Sequence, residues 1–168
     1  MTTITTPIIE ERAEQPYVGI RSSVRMGEIA GTIPPLMGEV FAFLAERGIE
    51  PTDAPFWRYL VIDMARELVI DVGVPVATAA QGEGRIIADV LPAGRYATTE
   101  WRGSYDGLMD ATGQLLAWGD SQGVSWDKQP DGDTGEAWAG RIEVYFTDPD
   151  ELPDPNDWVT QLAFKLAD

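Results

Sequence analysis

The sequence predicts an α+β fold: two pseudo-symmetric β-α-β-β units whose strands form one antiparallel sheet, with two helices on one face. Three observations lead there. The order strand, helix, strand, strand occurs twice, over roughly residues 15–80 and 84–168. Each half holds one amphipathic stretch of helical period, and the other apolar runs are short and alternating, as strands are. With 168 residues, 44% hydrophobic and 10% aromatic, the chain suits one domain over residues 1–168 with a real core. A repeat this long exceeds solenoid periods, so the two units are expected to share a sheet and to meet at a groove.

The elements follow in order. Pro16–Val24 (PYVGIRSSV) is β-branched and aromatic enough for a strand. A connection containing Gly27 and Gly31 ends at Pro34 and Pro35, which suit a helix start, and Leu36–Arg47 sets Leu36, Val40, Phe43 and Leu44 at helical spacing. Gly48 stands where a left-handed C-cap is expected. Two strands follow, Phe56–Met64 and Glu67–Val76. In the second half, Gly84–Gly94 reads as a strand running into a Pro-Gly turn, and Arg95–Trp101 as another strand. The helix over Tyr105–Val124 carries Leu108, Ala111, Leu115 and Trp118 on one stripe, with Ser104 or Asp106 as candidate N-cap. Ser125–Ala139 is a polar loop, either a surface loop or, because Trp126 and Trp138 sit at its ends, a lid over the groove. Gly140–Pro149 and Asp157–Leu166 are the closing strands.

Composition narrows the chemistry. Lys and Arg number 12 against 28 Asp and Glu, a formal charge of −16, which repels nucleic-acid phosphates and anionic membranes and favours neutral or cationic partners, although solubility alone would also explain it. No run approaches membrane-spanning length and no signal peptide precedes the first strand, so a cytoplasmic location is expected. The chain has neither His nor Cys, which removes Ser-His-Asp triads, Cys nucleophiles, disulfides and zinc-finger-type sites. No phosphate-cradling Gly motif is present, and no cofactor or metal is expected. Chemistry must come from carboxylates, Tyr, Lys, Arg or hydroxyls.

One carboxylate stands out. In GRIEVYFTDP, Glu143 interrupts a strand between Ile142 and Val144, where an unpaired buried charge is costly. Alternation places Glu143, Tyr145 and Thr147 on one face and Ile142, Val144 and Phe146 on the other. The matching strand groups Trp57, Tyr59, Val61 and Asp63. The candidate pocket residues are therefore Glu143, Tyr145, Tyr59, Trp57, Trp101, Trp138, Met37, Phe41 and Tyr105. Against each stands a structural role: Trp57 and Trp101 as core, Tyr105 as packing at a helix start, Glu143 as an edge residue or the partner of Arg58 or Arg141.

The residues LPAGRYATTEWRGSYDGL, then the helix, then GRIEVYFTDP resemble the GyrI-like family: effector-binding domains found alone or attached to DNA-binding domains in AraC- and MerR-type multidrug regulators such as BmrR. The pattern is carried by Gly103, Tyr105 and Asp106, then Glu143, Tyr145 and Pro149; Ser104 stands where family members often have Pro. The resemblance implies a pocket between the two units in which Glu143, with Tyr145 and Tyr59, meets lipophilic cationic compounds. It also implies an alternative: some stand-alone members are hydrolases opening cyclopropanoid electrophiles, with Glu143 activating water and Tyr145 or Tyr59 hydrogen-bonding the developing phenolate. A third reading is an acidic protein partner of gyrase type, resting on Asp127, Asp131, Asp133 and Glu136. The expected partner is a lipophilic small molecule, without direct nucleic-acid or membrane binding; oligomeric state is left open.

Overall fold

The computed structural model describes residues 3–167. Two strands that the sequence reading did not place come first, β1 (Thr3–Ile4) and β2 (Ile8–Arg12), and only Ala13 and Glu14 separate them from β3 (Gln15–Val24). A one-turn helix α1 (Ile29–Thr32) leads into α2 (Pro34–Arg47), which opens on its two prolines and closes on Gly48 at φ 65°, the left-handed conformation that glycine adopts without a Cβ clash. β4 (Phe56–Ile62) ends before the Met64 expected from sequence, because Asp63 turns the chain, its carboxylate accepting from the Ala65 N–H and the Thr134 hydroxyl. β5 (Leu68–Pro75), β6 (Ile86–Leu91) and β7 (Gly94–Arg102) follow. A 3₁₀ turn over Tyr105–Gly107 precedes α3 (Leu108–Ser121). Neither Ser104 nor Asp106 caps it through its side chain; instead the Ser104 carbonyl accepts from the Trp101 indole N–H and the Gly107 N–H. β8 (Lys128–Asp131), β9 (Gly135–Trp138), β10 (Arg141–Tyr145) and β11 (Val159–Lys165) complete the chain.

The strands form one antiparallel sheet in the order β1-β7-β11-β10-β4-β5-β3-β6, with β2 also on β7, β9 also on β4, and β8 on β9. The two strands preceding β3 and β7 are exchanged between halves: β2 pairs with β7, while β6, expected to belong to the second half, pairs with β3. Both connections are very short, Ala13-Glu14 and Pro92-Ala93. In a flat sheet β6 and β7 would lie roughly 30 Å apart at about 4.8 Å per strand. Such links can close only if the sheet curls back on itself. The inside of that curl holds Tyr17, Phe56, Leu91, Tyr96, Ile142 and Ala163. It also holds a polar cluster in which Tyr17 donates to Asp71 at 2.5 Å and Arg58 donates to Tyr17 Oη and the Ala139 carbonyl.

Both helices lie on the outer face. α2 buries Leu36, Val40, Phe43 and Leu44 against β3 and β5, and α3 buries Leu108, Ala111 and Leu115 against Ala97, Leu162 and Phe164. The fourth stripe position of α3 is Gly119, not Trp118 as the spacing suggested: Trp126 lies so close that a Cβ on Gly119 would stand 2.2 Å from its ring, leaving Trp118 half-buried. The central strands β4 and β10 lie between the two helical cores, where Trp57, Tyr59, Ile62 and Tyr145 are only partly buried, and a groove opens there.

Ser125–Ala139, read from sequence as a surface loop or a lid, is a hairpin instead. β9 pairs with β4 at Val61 and Ile62, and β8 with β9, so the segment extends the sheet rather than covering the groove. Its acidic residues are partly neutralised from within, Asp127 by Lys165 at 2.7 Å and Glu136 by Lys128. Among the described residues, no single helix is long and apolar enough to cross a membrane.

Candidate functional site

The groove between α2 and α3 is a cavity of about 900 Å³ floored by β4 and β10. The floor is set by register: Glu143 stands opposite Trp57 on one side and Leu162 on the other. Trp57, Tyr59, Glu143 and Tyr145 therefore project toward the helices together, as alternation required. α2 contributes Met37 and Phe41, α3 contributes Leu108, Met109 and Thr112, and the turn after β10 contributes Asp148 and Glu151.

Glu143 is the polar centre. Its Oε1 accepts from the Tyr145 hydroxyl at 2.6 Å and the Tyr59 hydroxyl at 3.2 Å, while Oε2 has no donor among the described residues. Burial pushes the carboxyl above its ordinary value, and the two phenols and the nearby Arg141 offset this only in part. Both phenols are in turn raised well above the ordinary tyrosine value, chiefly by burial and next by the Glu143 charge. They act as hydrogen-bond donors at neutral pH. Tyr145 also packs edge-on against Trp57 and Tyr105, each with ring centroids 5.7 Å apart, and Tyr105 stacks on Trp158 at 4.7 Å. A carboxylate is thus set within an aromatic wall whose ring faces can also receive a cation.

The rest of the lining is apolar and adaptable. Every methionine after Met1, namely Met26, Met37, Met64 and Met109, lines this cavity. Of the exposed large hydrophobic residues, Met26, Phe41, Met64, Tyr105, Met109 and Phe146 all belong to its wall. Exposed apolar surface gathered in one place marks a contact site, and unbranched methionine side chains re-pack around differently shaped guests.

Seven of the nine residues singled out from sequence, Glu143, Tyr145, Tyr59, Trp57, Met37, Phe41 and Tyr105, come together here. Trp101 and Trp138 do not. Trp101 packs so tightly on Gly107 that a Cβ there would meet its ring at 2.1 Å, and Trp138 is buried beneath the second helix with Trp126 and Phe164. Two alternation assignments also change. A register shift between Tyr59 and Val61 turns Ile62 rather than Val61 into the cavity, and Asp63 is engaged by Thr134. β10 stops at Tyr145, so Phe146, assigned to the far face, lines the cavity with Thr147. The methionines carried no shared periodic signal, since Met37 and Met109 lie in separate helices, Met26 in a 3₁₀ turn and Met64 in the turn after β4; only the fold gathers them. Arg58 faces the inside of the curl and is no partner of Glu143. Arg141 shares the Glu143 face and lines the cavity, and Glu143 acts on it through charge at a distance rather than through an ion pair.

Among the described residues, no group of three or more Asp or Glu is placed to hold a metal ion. The site offers one carboxylate, phenolic donors, a guanidinium and a large apolar wall.

These features fall within a recognised family. Residues 5–167 match the GyrI-like small molecule binding domain, and the chain belongs to that family. The crystal structure of the EcmrR C-terminal domain superposes with a TM-score of 0.76 at 21% identity, covering 96% of this chain and 97% of that one. In the EcmrR–DNA complex, solved by cryo-electron microscopy, the match covers 96% of this chain but 57% of the EcmrR chain, at 22% identity and a TM-score of 0.73. SAV2435 bound to tetraphenylphosphonium (TM-score 0.63, 8% identity, covering 97% and 94%) and a hydrolase from Listeria innocua (0.66, 10%, covering 96% and 91%) share the fold. No curated protein matches the chain in sequence.

Proposed function

We propose that this cavity binds a lipophilic small molecule carrying a positive charge, in a sensing or sequestering role, and that Glu143 receives the charge. The observation that carries the reading is the carboxylate itself: it sits in an aromatic and methionine-lined cavity with two phenol donors on Oε1 and none on Oε2. Such a group is expensive to maintain empty and becomes useful when a cation arrives. Burial of the ligand's apolar body against the methionines and Trp57 supplies most of the driving force, at about 25 cal/mol per Å². Asp148 and Glu151 in the wall and the net charge of −16 favour the same sign of ligand. The tetraphenylphosphonium bound by SAV2435 has this chemistry, and the methionine lining supports more than one guest shape.

The test is calorimetric titration with benzyltriphenylphosphonium and with neutral triphenylphosphine oxide. Glu143→Gln is expected to weaken the cation about 10- to 100-fold, or about 1.4–2.8 kcal/mol, and to leave the neutral compound nearly unchanged. Equal losses for both would remove the electrostatic part of the reading.

The Glu143 Oε2, open beside two phenol donors, supports a second reading, hydrolysis of a cyclopropanoid electrophile. A carboxylate raised by burial suits a general base. Glu143 would take a proton from water as the water oxygen bonds to a cyclopropane carbon. The breaking C–C bond would send its electron pair to the conjugated carbonyl, and the phenolate formed would be hydrogen-bonded by Tyr59 or Tyr145 before the proton reaches it. Product heavier by one water, formed over many turnovers and abolished in Glu143→Gln, would establish this reading; ligand recovered intact would exclude it.

A further inference from the structure

Arg141 is a cavity residue without a counterpart. It precedes Glu143 by two positions on the same face of β10 and lines the same cavity. Its guanidinium carbon lies 4.8 Å from the ring centroids of both Trp138 and Phe164, so two aromatic rings hold it in place. Among the described residues its side chain donates no hydrogen bond and joins no ion pair. Arg12, Arg21, Arg47, Arg58 and Arg85 all do, and the other arginines without an ion pair, Arg25, Arg66, Arg95 and Arg102, are exposed to solvent whereas Arg141 is half-buried. Glu143 and Glu136 act on it only at longer range, and Glu136 is already engaged by Lys128 and the Trp138 indole N–H.

A half-buried guanidinium has five N–H donors to satisfy, and a chain with 28 carboxylates has no shortage of acceptors. Arg141 nevertheless faces a cavity rather than a carboxylate. Its nitrogens are open to the cavity rather than sealed in the protein, so a group bound there can accept its hydrogen bonds, and partial burial makes that acceptance favourable.

We propose that Arg141 recognises an anionic oxygen group, a carboxylate in the simplest case, and that the ligand of this cavity is zwitterionic: an apolar body with its cation at Glu143 and its oxyanion at Arg141. The inference rests on the cavity being a ligand site, as proposed above, and refines the class of ligand. Two residues along one strand face set the two groups' Cα atoms about 7 Å apart. A cation and a carboxylate separated by one para-substituted benzyl ring match that spacing. Arg141 then has a fork suited to a carboxylate, pre-positioned by Trp138 and Phe164. Trp138, assigned from sequence to the pocket wall, becomes a positioning residue for the arginine instead.

The experiment compares three probes with one body: benzyltriphenylphosphonium, its para-carboxy derivative, and the methyl ester of that derivative. Biphenyl-4-carboxylate serves as an anion that makes no demand on Glu143. In the wild-type chain the carboxy compound is expected to bind at least about tenfold more tightly than its ester, by calorimetry at pH 7. In Arg141→Met the preference should vanish, the acid and its ester then binding alike. Arg141→Lys should keep part of the preference, since it retains charge but loses the planar fork. The wild-type acid-to-ester comparison needs no variant and stands even if a variant folds poorly. An ester that binds as well as the acid, a preference that survives in Arg141→Met, or no binding by either acid would overturn the proposal. Failure of the cation reading is separate: biphenyl-4-carboxylate binding lost in Arg141→Met, with no binding of the unsubstituted cation, would leave Arg141 as an anion site and remove Glu143 as its cationic counterpart.

Discussion

Glu143 is held in a state that opposes folding, and this has a measurable consequence. Its native carboxyl is raised above its ordinary value because burial disfavours the charged form. The native state therefore favours the protonated form. That contribution to stability is fully present below the unfolded-state carboxylate range and is lost as pH rises through the raised native value. Glutamine keeps an oxygen that both phenols can donate to and never ionises. Glu143→Gln is thus expected to melt at a higher temperature than wild type at pH 7, by about 2–4 °C for each kcal/mol released, with the gap closing as pH falls to about 4. Melting curves across that range check it, and a gap independent of pH would contradict an origin in the Glu143 charge. A substitution that strengthens the fold while weakening cation binding would support the role proposed for Glu143.

At the scale of the element, α3 separates intrinsic propensity from packing within one helix. Gly113 is exposed and a Cβ there would meet nothing within 4 Å, whereas at Gly119 it would stand 2.2 Å from the Trp126 ring. Gly113→Ala is expected to stabilise by about 0.5–1 kcal/mol, the ordinary gain in helix propensity. Gly119→Ala has the same propensity gain but is expected to destabilise by about 1–3 kcal/mol through overpacking. Denaturant midpoints of the two variants give the answer, and like signs would show that Trp126 yields easily. The sequence pattern made both glycines look alike. Strand alternation has the same limit: it read Glu143 and Tyr145 correctly because β10 is regular there, and failed at Val61 and Phe146, where a register shift and a strand end intervene.

Across the whole molecule, the exchanged strands tie the two halves together. β2 completes the sheet beside β7, and β6 completes it beside β3, so neither half keeps its own leading strand. The inner cluster then takes Tyr17 and Phe56 from one half and Tyr96, Ile142 and Ala163 from the other. Unfolding followed by tryptophan fluorescence and by far-UV circular dichroism is expected to give coincident transitions. Two separated transitions would mean that the halves fold independently despite the exchange. The same arrangement leaves β4 and β10 side by side at the centre, which is where the cavity opens.

The sequence by itself determined the α+β class, both long helices, the positions of the central strands, and the aromatic face that carries Glu143. These follow from local periodicity, which each segment expresses without reference to the others. Gly48 as a helix cap is legible for the same reason: one residue's backbone freedom suffices. Only the tertiary structure decided that β1 and β2 join the sheet, that β6 crosses to the other half, and that Ser125–Ala139 is a hairpin, since these depend on which edge is left open to pair. It alone gathered four methionines from separate segments into one wall, withdrew Trp101 and Trp138 from that wall, and set Arg141 facing the cavity without a carboxylate. Long-range pairing brings together residues whose spacing in the chain carries no period, so no window of sequence contains the signal.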